Sequence, residues 1–322
     1  MNHDRYSFHD LHPAAESFLE EVIAGLSRPR KELSPKYFYD ARGCELFDAI
    51  CELPEYYPTR TEMAMMQAHA AEMARHLGPG SVLIEYGSGN SRKTHALIAA
   101  LGPIAYVPVD IAGGQLKTSA ARLAAAFPGL GVVAVCADYS RLLKLPEIDN
   151  ISARRRVIYF PGSTIGNFTV SEALEFLGYA RALAGAGGAM LIGVDLKKDH
   201  ALLNAAYNDA RGVTAEFNLN LLCRINRELG ADFDLAGFRH HAFYDAAVGR
   251  IEMHLQSLRE QQVAIGGQAF RFSDGETIHT ENSYKYSTDE FRQLARQAGF
   301  DASHCWVDPQ QLFSVHYLAV PR

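Results

Sequence analysis

The chain has 322 residues, 48% hydrophobic and 21% charged, with a formal net charge of −6. That length suits one large or two modest domains with ample core, and the balance is that of a folded globular protein. Net negative charge argues against nucleic acid as the main partner, and no apolar run approaches the ~20 residues that cross a bilayer, so no membrane partner is expected either. The first twelve residues are polar and mixed in charge, unlike a secretion signal. The five cysteines (Cys44, Cys51, Cys136, Cys223, Cys305) are scattered, with no Cys-x-x-Cys pair, which fits free thiols and a cytoplasmic location. Among the thirteen histidines, His240-His241 is the only adjacent pair, and neighbours on a strand point to opposite faces. No His-x-x-x-His or His-Glu-x-x-His occurs, so sequence spacing predicts no metal site.

In chain order, residues 13–26 have helical spacing, with Pro13 suited to a first turn. An aromatic-rich loop holds Tyr37, Phe38 and Tyr39, and 43–53 is a short helix. Pro54-Glu55-Tyr56-Tyr57-Pro58 forms a rigid connector, because each proline restricts itself and the residue before it. Thr59 to Glu62 has capping-box spacing for a helix through about Leu77.

The apolar run Val82-Leu83-Ile84 then reads as a buried strand, followed by Glu85-Tyr86-Gly87-Ser88-Gly89 and a helix over 95–101. Strand, glycine turn and helix open a nucleotide-binding α/β sheet. The dinucleotide fingerprint wants a third glycine where Arg92 stands, so the turn suits a ligand without phosphate there, S-adenosylmethionine being the common one. The strand at 104–109 ends in Asp110, an acid placed to hold a ribose hydroxyl pair of NAD or S-adenosylmethionine alike. A helix at 113–127 and a strand at 132–135 lead to Asp138 and Tyr139, which suit an adenine amine and its ring; a capping aspartate is the other reading. The strand at 157–160 runs into a long turn, Pro161 to Phe168, containing Gly162 and Asn167. A helix at 173–183 and a fifth strand at 188–194 complete the alternation.

Beyond Lys198 the pattern changes. Helices are expected at 199–207 and 213–229, then antiparallel strands between Phe238 and Ser283 with turns at Gly266-Gly267 and Asp274-Gly275. A helix at 287–298 and two antiparallel strands close the chain. Five parallel strands with a final antiparallel hairpin strand resemble the S-adenosylmethionine-dependent methyltransferase fold. The expected architecture is a Rossmann-like α/β sheet with an inserted α+β lobe. The boundaries expected are 60–197 plus 287–322 for the cofactor-binding domain, and 1–59 plus 198–286 for the substrate-binding lobe.

With those residues in view, the chain resembles the histidine Nα-methyltransferases of ergothioneine biosynthesis over nearly its whole length. The likeness rests on Lys36-Tyr37-Phe38-Tyr39-Asp40, Leu53-Pro54-Glu55-Tyr56-Tyr57-Pro58-Thr59-Arg60, Tyr86-Gly87-Ser88-Gly89, the Pro161–Phe168 turn and Glu281-Asn282-Ser283. The resemblance implies trimethylation of the α-amine of L-histidine to hercynine, with S-adenosylmethionine as cofactor. It implies cofactor contacts from Tyr56, Gly87, Lys93, Asp110, Asp138 and Tyr139. It implies substrate contacts from Tyr56, Gly162, Asn167, Tyr207, Met253, Glu281 and Ser283, with Tyr39 and Asn167 nearest the reaction. A monomer acting on a small molecule is expected. Two departures stand out: Asn282 lies between Glu281 and Ser283, and Tyr86 occupies a position where a small aliphatic is usual.

These residue types suit the chemistry. Methyl transfer from a sulfonium conserves net charge, so alignment matters more than acid or base strength. Asn167 and Tyr207 are neutral donors for a carboxylate. Tyr39, Tyr56 and Phe47 offer aromatic faces to a developing quaternary ammonium, although an aromatic packing cluster would look the same in sequence. Tyr39 is a poor base unless perturbed. Glu281 and Ser283, two apart, share a side if they lie on a strand. Rival readings are a methyltransferase for tryptophan or a derivative, an NAD-dependent oxidoreductase, and a non-catalytic cofactor sensor.

Overall fold

The apolar runs expected as strands pair into one eight-stranded sheet in a computed structural model, which describes residues 6–11, 16–91, 93–140, 145, 151 and 153–322. In chain order the strands are β1 (Tyr6–Asp10), β2 (Ser81–Tyr86), β3 (Ala105–Asp110), β4 (Gly131–Cys136), β5 (Arg155–Phe160), β6 (Ala189–Asp195), β7 (Phe238–Asp245), β8 (Arg250–Ser257), β9 (Gln261–Ile265), β10 (Gln268–Phe272), β11 (Thr277–Tyr284), β12 (Asp301–Val307) and β13 (Phe313–Ala319). The helices are α1 (Glu16–Leu26), α2 (Ala41–Cys51), α3 (Tyr57–Leu77), α4 (Thr94–Leu101), α5 (Gly113–Ala126), α6 (Val170–Ala184), α7 (His200–Tyr207), α8 (Val213–Leu229) and α9 (Thr288–Gln297). Pro13, expected to start α1, and Arg92 lie outside the described residues.

The chain divides into two units. The first comprises Met1–His12, Pro58–Lys197 and Tyr284–Arg322, the second Pro13–Tyr57 and Lys198–Ser283. The division differs from a cut at residue 59, because β1 pairs in parallel with β4 and so belongs with the large sheet.

In the first unit the strand order is β1-β4-β3-β2-β5-β6-β13-β12. The first six are parallel to one another, whereas β13 runs antiparallel to both β6 and β12. Strands buried on both faces must be apolar nearly throughout, and all of β2 and β3 is buried. Alternate residues serve two cores. Val82, Ile84 and Tyr86 pack with Phe160, Phe176 and Phe291, while Leu83 packs with Met66, Leu97 and Leu116. Strand order reverses between β3-β2 and β2-β5, so the turns after β2 and β5 flank the crevice where such sheets bind ligands.

The spacing of Thr59 and Glu62 does not form a capping box. Helix α3 starts at Tyr57 with Pro58 in its first turn, so Thr59 is already inside it. Glu62 is fully buried and turns instead to Lys93 Nζ at 2.6 Å and to the Gly162 N–H, 2.9 Å from one oxygen and 3.1 Å from the other. A buried carboxylate requires such partners, and this demand outweighs a cap. Capping boxes do form at Thr169–Glu172 and Ser287–Glu290.

The second unit contains the three-stranded sheet β11-β8-β7 and the hairpin β9-β10. Along β8, Ile251, Met253, Leu255 and Ser257 are buried, while Arg250, Glu252, His254 and Gln256 are half-buried on the alternate face. Asp40 caps α2 through the Gly43 N–H (2.7 Å) and also accepts from Asn220 Nδ2 (2.8 Å) and Arg227 Nη2 (2.6 Å), tying α2 to α8.

Within β6, a Cβ on Gly193 would lie 2.4 Å from Glu62 Oε1 and 2.9 Å from the Phe313 ring. The missing side chain is what admits Glu62. Gly193→Ala is therefore expected to destabilise the protein by about 1–3 kcal/mol through overpacking. Urea unfolding would measure it, and an unchanged midpoint would refute the tight fit.

Candidate functional site

The turn after β2 is built from backbone. Gly87 (φ +66°) donates its N–H to the Val109 carbonyl at 2.9 Å, and Gly89 (φ +48°) donates to Asp110 Oδ2 at 2.8 Å. These positive φ values suit glycine. A Cβ at Gly87 would come within 3.3 Å of Tyr139 Oη, whereas one at Gly89 would meet nothing within 4 Å. The open side of Gly89 is where a ligand can lie against bare backbone. Ser88 Oγ, between the two glycines, is buried without a hydrogen-bond partner. Asp110, at the end of β3, is nearly buried, and its Oδ1 accepts from the Ala112 N–H at 2.9 Å. Two backbone donors thus hold its carboxylate in one orientation. This is a cradle fitted to a ligand with hydroxyls, which Asp110 would accept, and a polar atom for Ser88 to meet.

Tyr139 follows β4 and stacks on Tyr86, ring centroids 5.5 Å apart and planes 10° apart, with Phe160 edge-on at 5.7 Å. Tyr86, the unusual residue before the first glycine, is thus the backing of Tyr139. Burial pushes the pKa of both phenols above the ordinary tyrosine value. Asp138 Oδ1 accepts from the Ser140 N–H (3.0 Å) and hydroxyl (2.5 Å).

The predicted residues Lys93 and Gly162 meet at Glu62, which sequence reasoning did not single out. Lys93 is the residue before α4, and Gly162 (φ +82°) opens the turn after β5. Its N–H is engaged by Glu62, while Asn167, half-buried, ends a 3₁₀ turn over Thr164–Asn167. Ser88 and Glu62 both went unseen: one is a small residue between glycines, and the other sat in a register that mimics a cap.

The second unit brings together another predicted set. Rings follow one another from Tyr39 to Phe47 (5.7 Å), Phe47 to Tyr56 (6.3 Å) and Tyr56 to Tyr207 (6.3 Å), all edge-on. Phe217 of α8, missed because helical spacing marks it only as core, backs Tyr39 at 5.9 Å and Phe47 at 6.0 Å. Tyr207 Oη donates to Ser283 Oγ at 2.7 Å. Tyr56 is half-buried. Burial first, then the nearby Tyr207, Cys51, Glu281 and Tyr39, keeps its pKa well above the ordinary phenol value. It stays a neutral hydroxyl. Met253 is buried on β8, where its carbonyl accepts from Thr280 Oγ1 of β11 at 3.1 Å.

A family model described as histidine-specific methyltransferase, S-adenosylmethionine-dependent, matches residues 18–320. The chain is 41% identical over 303 residues to the histidine N-alpha-methyltransferase of Mycolicibacterium smegmatis, covering 92% of each. It is 33% identical over 328 residues to ergothioneine biosynthesis protein 1 of Neurospora crassa, with 96% of this chain matched but 36% of that longer protein. The 4-dimethylallyltryptophan N-methyltransferase of Claviceps purpurea is 27% identical, with 91% of this chain and 92% of the relative covered.

Glu85, the last acid of β2, is buried and accepts hydrogen bonds from Thr94 Oγ1 (2.6 and 2.7 Å) and from Tyr106 Oη. Desolvation raises its pKa to about 8, against the lowering effect of those donors and of Lys93. The folded state therefore binds this proton more tightly than the unfolded chain does. Its stabilisation is complete below the ordinary value of 4.5 and is lost as pH rises through about 8. The wild-type unfolding free energy should fall between about pH 5 and pH 8 with a slope reaching about 1.4 kcal/mol per pH unit, seen as a falling melting temperature. Glu85→Gln should flatten that component, and parallel profiles for the two proteins would show that Glu85 is charged at neutral pH.

Proposed function

The chain belongs to the histidine-specific, S-adenosylmethionine-dependent methyltransferase family, and from that premise we propose that it trimethylates the α-amine of L-histidine to hercynine, the opening step of ergothioneine biosynthesis. The observation that carries this reading is the second unit's grouping of Glu281, Tyr56 and Tyr39 with the hydrogen-bonded pair Tyr207–Ser283. A carboxylate and a hydroxyl beside aromatic rings suit a small amino acid with a polar ring and a cationic nitrogen.

When bound, S-adenosylmethionine supplies an electrophilic methyl group on sulfur. The first unit's residues that suit it are the bare backbone at Gly89, the Ser88 hydroxyl and the preoriented Asp110 carboxylate. Tyr139, backed by Tyr86, suits a flat base. Lys93 is paired with Glu62, which supports a role in holding the turn in shape rather than in meeting the ligand's charge.

On the substrate side, Glu281 accepts from an imidazole N–H and the Ser283 hydroxyl donates to the other ring nitrogen. An indole has the N–H but no ring acceptor, so this pair favours histidine over tryptophan. The attacking amine must be neutral, and a neutral donor such as the Asn167 amide anchors a carboxylate without adding charge beside it, while the Tyr207 O–H is donated to Ser283. Each added methyl moves the amine toward a permanent cation. The rings of Tyr39, Phe47 and Tyr56 then contribute about 0.5–2 kcal/mol each where a face is presented. Burial keeps the Tyr56 phenol neutral, so it positions the amine rather than acting as a base.

Incubating the protein with L-histidine and S-adenosylmethionine should yield mono-, di- and trimethylated histidine by mass spectrometry, with tryptophan left unmodified. Methylated tryptophan in place of hercynine would favour the runner-up substrate. Glu281→Ala should raise the histidine KM at least about tenfold, since the imidazole N–H loses its acceptor. Cofactor affinity by calorimetry should stay the same, and an unaltered KM would remove Glu281 from the imidazole pocket.

A further inference from the structure

The face of the second unit's sheet opposite Met253 carries a group of side chains that the methyl-transfer reading does not use. His254 and Glu252 share one face of β8, being two residues apart on a strand whose alternate residues are buried. His279 reaches them from β11, its ring centroid 5.1 Å from that of His254. One ligand atom from each of Glu252, His254 and His279 lies within 4.8 Å of the other two. A tetrahedral ion with bonds of about 2.0–2.1 Å needs separations of roughly 3.3 Å, within reach of small side-chain rotations. His241 pairs directly with His254 across β7 and β8, so it stands on the same face, and it is exposed. Its neighbour His240 pairs with Leu255 on the opposite face, where its Nε2 meets the Tyr207 carbonyl at 2.9 Å.

Two further observations point to a ligand. His254 Nδ1 and His279 Nε2 are buried and have no hydrogen-bond partner. The set is also held in place. Arg250 Nε donates to Glu252 Oε1 at 2.8 Å, leaving Oε2 toward His254 Nε2 at 2.9 Å, and Phe243 stacks on the His254 ring at 5.6 Å and 7°. Such outer partners orient metal ligands.

We propose that Glu252, His254 and His279 bind one divalent transition-metal ion of the zinc class, with His241 on the solvent side as the fourth ligand. Two imidazoles and a carboxylate are an ordinary donor set for zinc. The ion would cross-link β8 to β11, the strand that also bears Glu281 and Ser283, and would be structural in role. A second group, Glu72, His76 and His304, also brings three ligand atoms within 4.8 Å. There Glu72 already accepts from Trp306 Nε1 at 2.9 Å, and neither histidine has a buried unpartnered nitrogen. It is the weaker candidate.

The test uses untagged full-length protein, stripped with a chelator and titrated with zinc chloride by calorimetry. One equivalent should bind. His279→Gln should weaken that binding at least tenfold, and His76→Gln should leave it unchanged. Absence of a stoichiometric site, indifference to His279→Gln, or loss in His76→Gln instead would overturn the proposal. Should His279→Gln fail to fold by circular dichroism, zinc anomalous scattering from soaked wild-type crystals decides. A peak among Glu252, His254 and His279 supports the site, and a peak elsewhere or none refutes it.

Discussion

Glu62 brings a carboxylate into a place with no solvent, and the turns after β2 and β5 close upon it. Lys93 reaches it from the start of α4, and the Gly162 N–H reaches it from the end of β5. The absent side chain of Gly193 makes the room. Removing one partner of such a group leaves the other buried and uncompensated, which costs far more than a surface ion pair. The shape of the crevice at the carboxyl ends of β2 and β5 therefore hangs on a single acid carried by α3.

Around that acid the first unit prepares its groups in advance. Asp110 is held by two backbone N–H groups, and Tyr139 is clamped between Tyr86 and Phe160. A methyl transfer without net charge change gains little from strong acids or bases and much from alignment. Fixed dipoles and locked rings are what such a reaction uses. The second unit follows the same rule with different materials: the rings of Tyr39, Phe47, Tyr56 and Tyr207 meet edge to face, and Phe217 packs behind them. Edge-to-face packing keeps large flat groups in defined orientations at little entropic cost.

Most elements were legible in the amino-acid order because their causes are local. The strand β2 reads as a short apolar run, the amphipathic α9 shows Phe291 and Leu294 on one side, and Gly266-Gly267 marks the turn between β9 and β10. The errors came where a local signal competed with a distant partner. Thr59 and Glu62 have the spacing of a cap, yet burial beside Lys93 and Gly162 claims Glu62. β1 has no local mark of the sheet it joins, and only its pairing with β4 assigns it to the first unit.

Sequence alone determined the class of fold, the glycine turn, the acid at the tip of β3 and the family to which these motifs point, because each depends on residues a few positions apart. Tertiary structure decided which groups meet. Glu62 and Gly162 are 100 residues apart, and Tyr207 and Ser283 are 76 apart. The histidines and glutamate of the proposed zinc site come from neighbouring strands with no metal-like spacing along the chain. Strand order and register bring such residues side by side, and neither can be read from periodicity, which reports only which face of its own element a side chain occupies.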